Sequence, residues 1–405
     1  MKYIVILGDG MSDYPVPQLN NKTPLQYAKK PNIDFLARHG QVGMVKTIPD
    51  GIAPGSDAAN LSVMGYNPKE YYTGRSPLEA VSMGIKLTET DLALRCNLVT
   101  LSEKESEYCD KIMVDYSSDE ISTNEAAELI KVVNSHFKSD MIVFYSGISY
   151  RHCMVWKEGP LGFECTPPHD ILDKSIGDFL PKGNSSEVLQ DMMIESYKLL
   201  KDHPVNKSRI QKGLKPANSI WLWGQGRKPS LSSFNEKYKI KGSVISAVDL
   251  IKGIGICAGL NSVDVEGATG NIHTNFLGKA HAALKELEAG QDFVYVHIEA
   301  PDECGHRYEI ENKVRSIELI DEQVVGPILE NLDKNYPDYK ILVLPDHPTP
   351  LSLRTHTSEP VPFIIYQKSK ARLNNIEGYD EFQAKESGLV INDGYTLMDR
   401  FINTK

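Results

Sequence analysis

Phe293-Val-Tyr-Val-His-Ile-Glu-Ala-Pro-Asp302 is a short apolar run, broken by one histidine, that leads into a carboxylate. Two other stretches have the same form, Tyr3-Ile-Val-Ile-Leu-Gly-Asp9 and Ile341-Leu-Val-Leu-Pro-Asp346-His347. Short runs rich in Val, Ile and Leu read as strands covered on both faces, the signature of a mostly parallel sheet flanked by helices. In such sheets ligands gather beyond the carboxyl ends of the strands. Aspartates at three such ends, far apart in sequence, would converge on one place, and like charges that close require a cation between them. An α/β fold with a metal centre at its strand ends is therefore expected.

Outward from these strands the chain alternates strand and helix cues. The first segment has a strand at 3–7, helical pieces at 23–28 and 32–38, and a strand from Gln41 to Ile48, with Pro31 and Gly40 as start and stop signals. From about Leu92 to Pro229 the texture changes to more Ser, Lys and Glu, with amphipathic helices at 125–136 and 186–200 and none of the strand-ending carboxylates. This stretch reads as an inserted α/β (α+β) domain, 92–229, within a discontinuous core of 1–91 and 230–405. Trp221 and Trp223 are expected to pack where the insert rejoins. The core then resumes with helices at 278–287 and 312–332 and strands at 293–298, 341–344 and 361–366.

At 405 residues, with 41% hydrophobic and 24% charged residues, the chain has the composition of a soluble globular protein with a large core. A formal net charge of −10 argues against nucleic-acid or anionic-membrane binding, yet leaves room for a small anion in a cleft where cations invert the local field. The sequence has no run of eighteen apolar residues and no signal-peptide pattern, and its six cysteines are scattered, so a cytoplasmic protein with reduced thiols is expected. Monomer and homo-oligomer stay equally open.

Asp302-Glu-Cys-Gly-His306 sets a carboxylate and an imidazole four residues apart, on one side of a helical turn. Asp346-His347 offers two ligands at a strand end, and His356 follows in Arg354-Thr-His-Thr-Ser-Glu-Pro. With Asp9 these make three carboxylates and three imidazoles, enough for two divalent ions. Mixed oxygen and nitrogen ligation suits Mn²⁺ or Zn²⁺ better than the oxygen cages of Mg²⁺ or Ca²⁺. Singly, each piece has an ordinary explanation as a turn residue or a solvated pair, and the conjunction is what favours a metal centre.

Ser56, in Pro54-Gly-Ser-Asp-Ala-Ala-Asn60, stands where a helix begins and is the candidate nucleophile. The free N–H groups there favour an anion, and coordination of a hydroxyl to a metal lowers its pKa. The competing reading is a helix cap. Tyr72-Thr-Gly-Arg75, Arg151-His152, His169-Asp170 and Arg209 are polar clusters of the kind that line a phosphate or carboxylate pocket, Arg being suited by its planar fork. Taken singly, each is more commonly a surface feature.

Gly8-Asp9-Gly10, Pro54-Gly-Ser56-Asp-Ala-Ala-Asn-Leu-Ser-Val-Met-Gly65, Glu299-Ala-Pro-Asp302-Glu-Cys-Gly-His306, Pro345-Asp346-His347 and Thr355-His356-Thr together resemble the cofactor-independent phosphoglycerate mutases, in their shorter, archaeal-type branch of the alkaline phosphatase superfamily. The likeness extends over most of the chain, including Ser246-Ala-Val-Asp-Leu-Ile-Lys-Gly. It implies an alkaline-phosphatase-like core with an inserted lid and two divalent ions, Mn²⁺ foremost, with Zn²⁺, Co²⁺ and Mg²⁺ as alternatives. One ion would be held by Asp9, Ser56, Asp346 and His347, and the other by Asp302, His306 and His356. It also implies interconversion of 3- and 2-phosphoglycerate through a phosphoserine at Ser56, with Arg151, His152, His169, Asp170, Arg209 and Lys252 facing the substrate. Other phosphomutases or phosphomonoesterases on the same core, and a non-catalytic metal-braced binding protein, are the competing readings. A sulfatase is disfavoured because its nucleophile sits in a Cys/Ser-x-Pro-x-Arg context that Ser56 lacks.

Overall fold

The computed structural model describes residues 1–403. The chain divides into two units, Met1–Tyr72 with Ser230–Lys405, and Thr73–Pro229. Among the described residues no helix is long and apolar enough to cross a membrane, and all six cysteines are free thiols.

The first unit is built on an eight-stranded sheet in the order Asn261–Val263, Gly242–Ile245, Phe293–Ile298, Lys2–Gly8, Tyr339–Leu344, Val361–Gln367, Gln41–Val45, Val390–Ile391. Pairing is parallel through the first five, and Val361–Gln367 runs antiparallel to both of its neighbours. This is the parallel-rich α/β sheet expected from the apolar runs. Phe293–Ile298 and Tyr339–Leu344 are buried at every position, and each fully buried Val, Leu or Ile contributes about 1.5–3 kcal/mol.

Strand periodicity sorts the side chains. Ile4, Ile6, Val294, Val296, Ile341 and Val343 share one core with helices Pro31–His39, Phe276–Glu288 and Ile310–Ile320. Tyr295, of opposite parity, bonds through its hydroxyl to Asn60 Oδ1 at 2.6 Å on helix Ser56–Val63. That helix therefore packs on the other face. Leu7 is in register with both His297 and Leu344, so the three central strands end at one level and Asp9, Asp302 and Asp346 follow just beyond it. The helix expected at 312–332 contains a π-helical turn, Asp321–Val325, and resumes as Gly326–Asn335. Pro327 has no amide hydrogen to give the carbonyl four residues back, which accounts for the interruption.

In the second unit Leu92–Leu101 is flanked by antiparallel Arg151–Trp156 and Ser219–Arg227, with Ile142–Tyr145 beyond the former. Helices Thr123–Phe137 and Ser186–Leu200 cover one face of this sheet and close its core around Leu94, Met154 and Trp221. The sequence reading drew the first boundary at 91/92, whereas Thr73–Asp91 groups with this unit. The reason is local: the Arg95 amide donates to Ser76 Oγ at 3.0 Å and Ser76 Oγ–H donates to the Gly224 carbonyl. Trp221 and Trp223 lie within Ser219–Arg227, the former fully buried, so they belong to this sheet rather than to a junction.

Candidate metal centre

Asp9 and Asp346 leave adjacent parallel strands and are both buried. Asp346 Oδ1 accepts from the amides of Gly10 (3.2 Å) and His347 (2.9 Å), and its Oδ2 from Asn60 Nδ2 (2.8 Å). Gly10 has φ +62°, and a Cβ there would lie 2.5 Å from Thr349 Oγ1 and 2.8 Å from Asp302 Oδ1, so only glycine fits. Asp9 Oδ2 faces His297 Nε2 at 3.0 Å, while its Oδ1 is buried without a hydrogen-bond partner. Burial, then the charges of Asp346 and Asp302, push the Asp9 carboxyl far above the usual range.

Ser56 is the first residue of its helix, and the cap position belongs to Gly55. The hydroxyl is thus not spent on capping; Oγ lies 3.1 Å from His347 Nε2. That same nitrogen is 3.5 Å from Asp9 Oδ1 and 3.5 Å from Asp346 Oδ2. These four residues are the first set expected from the resemblance, and they meet at one point.

The second set also converges. Helix Ala300–His306 presents Asp302 and His306 on one side, with His306 Nε2 3.2 Å from Asp302 Oδ2. His356 Nε2 is 3.3 Å from Asp302 Oδ1 and 2.9 Å from His306 Nε2. His306 Nδ1–H donates to the Arg354 carbonyl at 2.9 Å, which turns Nε2 inward. The hydrogen bond with Asp302 pushes His306 up to about 9. Burial raises the Asp302 carboxyl, but hydrogen bonds from His306 and His356 outweigh it and hold it well below the usual range.

Ligand atoms of Asp302, His347 and His356 lie within 4.8 Å of one another, as do those of Asp9, His297 and Asp346. His347 therefore borders both groups. A buried carboxylate oxygen without a donor, crowded acids, and imidazole nitrogens turned toward each other are the donor set of divalent cations.

The expected substrate residues fare differently. Lys252, on helix Asp249–Cys257, is paired with Asp264 at 2.6 Å. In the second unit Arg151 is exposed, its guanidinium 5.0 Å from the Tyr150 ring. His169 packs on Trp223 (5.3 Å) and Tyr116 (6.0 Å) beside the exposed Asp170. His152 is buried; its Nδ1 accepts from the Gly147 amide (3.0 Å), and burial pushes it down to about 3, so it is neutral. Arg209 is 2% exposed and gives three of its five N–H donors to Glu125 (2.7 Å) and the carbonyls of Ser118 (2.6 Å) and Lys215 (3.0 Å), so it braces the second unit.

Sequence reasoning missed His297 and Asn60. A signal existed for His297, a polar residue set in an otherwise apolar strand.

The model of the 2,3-bisphosphoglycerate-independent phosphoglycerate mutase family matches residues 37–206. A Geobacter sulfurreducens protein named a probable 2,3-bisphosphoglycerate-independent phosphoglycerate mutase is 50% identical over all of both chains, and the Methanothrix thermoacetophila mutase is 49% identical over 98% of each. Among solved structures, a Pyrococcus horikoshii protein superposes with a TM-score of 0.83 at 28% identity, covering 99% of this chain and 96% of that one. The cofactor-independent mutase of Thermoplasma acidophilum does so with a TM-score of 0.69 at 27% identity, covering 100% and 99%. With this identity sustained along its whole length, the chain belongs to the 2,3-bisphosphoglycerate-independent phosphoglycerate mutases.

Proposed function

We propose that the chain interconverts 3-phosphoglycerate and 2-phosphoglycerate through a phosphoserine at Ser56, without 2,3-bisphosphoglycerate. The observation that carries this reading is a serine hydroxyl left free by its helix cap and set 3.1 Å from His347 Nε2, beside the unpartnered Asp9 Oδ1. Asp9, Ser56, Asp346 and His347 would hold one divalent ion and Asp302, His306 and His356 a second, with Mn²⁺ the best match to these mixed donors. Bound there, such ions supply Lewis acidity that lowers the pKa of a hydroxyl and neutralises phosphoryl oxygens.

Ser56 Oγ gives up its proton and attacks phosphorus, the bond to the glycerate oxygen breaks, and that oxygen takes a proton. The second glycerate hydroxyl then gives up its proton and attacks the same phosphorus, the P–Oγ bond breaks, and Ser56 Oγ takes a proton. The helix N-terminus at Ser56 favours the anionic phosphoryl group. In this reading the 73–229 unit serves as a lid that retains glycerate and excludes water, since water would turn the mutase into a phosphatase. A cytoplasmic setting is in keeping with the six free thiols.

The test is ³¹P NMR of Mn²⁺-supplied protein with 3-phosphoglycerate. Formation of 2-phosphoglycerate without added bisphosphoglycerate, and its loss in Ser56→Ala with Mn²⁺ binding retained, is expected. Free phosphate as the main product would instead identify a phosphomonoesterase.

A further inference from the structure

At the other end of the first unit's sheet lies a cavity of about 280 Å³ lined by His39, Lys340, Lys370, Arg372 and Arg400. Among the described residues no acidic side chain lines it, although the whole chain carries 54 acids against 44 Lys and Arg. Neither Lys370 nor Arg372 forms an ion pair among the described residues, and both are exposed. The nearby Asp338 carboxylate is already engaged by Gln367 Nε2 (2.8 Å), Ser369 Oγ (2.7 Å) and the Ser369 amide (3.0 Å).

Two of the cations are held by their side chains and the other two sit on a pinned segment. Lys340 is 4% exposed and donates to the Phe401 carbonyl at 2.9 Å, while burial and the charge of Lys370 push its ammonium down. Arg400 Nε donates to Gln41 Oε1 at 2.8 Å. The segment carrying Lys370 and Arg372 is pinned to the end of helix Pro31–His39, because Asn374 Nδ2 donates to the carbonyls of Ala37 and Gly40, each at 2.8 Å. A Cβ at Gly40 would lie 2.7 Å from both the Ile365 and Leu36 carbonyl oxygens, so this wall packs at backbone distance. His39 Nδ1–H donates to the Phe35 carbonyl (2.9 Å), leaving Nε2 for another partner.

Cations that crowd one concavity repel each other, and an anion placed among them relieves that repulsion. We infer that this cavity is a second anion site, which takes a small phosphate-bearing metabolite. Its size admits a molecule of a few carbons and not a polymer, and guanidinium forks with ammonium groups are the donors that phosphate oxygens use. Lys340 is the second residue of the strand that ends before Asp346, and six residues of extended chain separate the cavity from the metal centre by about 20 Å. One ligand cannot occupy both.

The experiment is equilibrium dialysis of radiolabelled inorganic phosphate against the Mn²⁺-loaded, full-length protein and its Lys370→Glu/Arg372→Glu variant. Both side chains are exposed and remote from Ser56, so kcat and KM are expected to stay at wild-type values. Phosphate bound at the second site is expected to weaken at least tenfold, and Lys370→Gln/Arg372→Gln reads the same loss should charge reversal disturb folding. An isotherm for either variant that superimposes on wild type overturns the site. Displacement by phosphate esters but not by citrate assigns the phosphate group, and equal displacement by citrate overturns that assignment. Dialysis reads occupancy alone, so its outcome is independent of whether the centre at Ser56 turns over phosphoglycerate.

Discussion

His297 Nε2 stands 3.0 Å from Asp9 Oδ2, and Ser246 Oγ stands 3.1 Å from the other ring nitrogen. The Val248 amide donates to Ser246 Oγ at 2.9 Å, which directs the serine's own hydrogen to Nδ1 and leaves Nε2–H to the carboxylate. One oxygen of Asp9 is thereby fixed and the other, Oδ1, turned toward His347. The Ser246-Ala-Val-Asp stretch noticed in the sequence acquires a job: it sets the tautomer of a histidine that aims a carboxylate.

His297 is accordingly a positioning residue. His297→Ala is expected to weaken Mn²⁺ binding about 10–100-fold, measured by calorimetry or by the Mn²⁺ paramagnetic resonance signal. His297→Gln, which keeps an N–H donor, should recover part of that affinity. Equal Mn²⁺ affinity in wild type and His297→Ala would remove it from this role, whatever happens to the melting temperature.

Arg209 ties together Glu125, Ser118 and Lys215, which come from three separate stretches of the second unit. Arg209→Ala is expected to cost about 3 kcal/mol, the scale of breaking a buried, hydrogen-bonded ion pair by removing one partner. Arg209→Lys should not restore it, since a single ammonium cannot reach three acceptors in a fixed fork. Chemical denaturation checks the loss; Mn²⁺ affinity, which resides in the first unit, should stay unchanged.

His152 gives a pH dependence whose sign is fixed by burial. Its folded value is pushed down to about 3, whereas the unfolded chain binds the proton near 6.5. Stability from this group is present above the unfolded value and is lost as pH falls between the two, at up to about 1.4 kcal/mol per pH unit. Unfolding titrations from pH 6.5 to 4.5 should show a shallower decline for His152→Gln than for wild type. Parallel curves would mean that the imidazole titrates equally in both states.

The strand ends were legible because buried parallel strands must be apolar throughout, so an aspartate after such a run stands out, and Asp9, Asp302 and Asp346 do converge. Ser56 was legible only as a helix start; whether its hydroxyl caps the helix depends on one residue of register, and Gly55 takes that position. The link from His297 to Asp9 required the pairing of Leu7 with His297, which strand identity alone does not specify. Arg209 marks a different limit. A polar cluster reads the same whether it lines a pocket or braces a core, and the difference lies in acceptors contributed by remote segments. The basic cavity was invisible for a similar reason, since His39, Lys340, Arg372 and Arg400 belong to four stretches brought together by the sheet.

The position of Lys2–Gly8 in the middle of the sheet has a consequence for biosynthesis. It is made well ahead of its partners, Phe293–Ile298 and Tyr339–Leu344, so Tyr3 must wait for Phe293 and Lys340. At roughly 5–20 residues per second this wait lasts some tens of seconds, during which an apolar strand is without its neighbours. Thr73–Pro229, contiguous in sequence, is complete long before and can close its own core meanwhile. The residues gathered around His347 come together only after His356 has been made. A nascent chain stalled before Asp346 lacks Asp346, His347 and His356 and cannot assemble this group of residues.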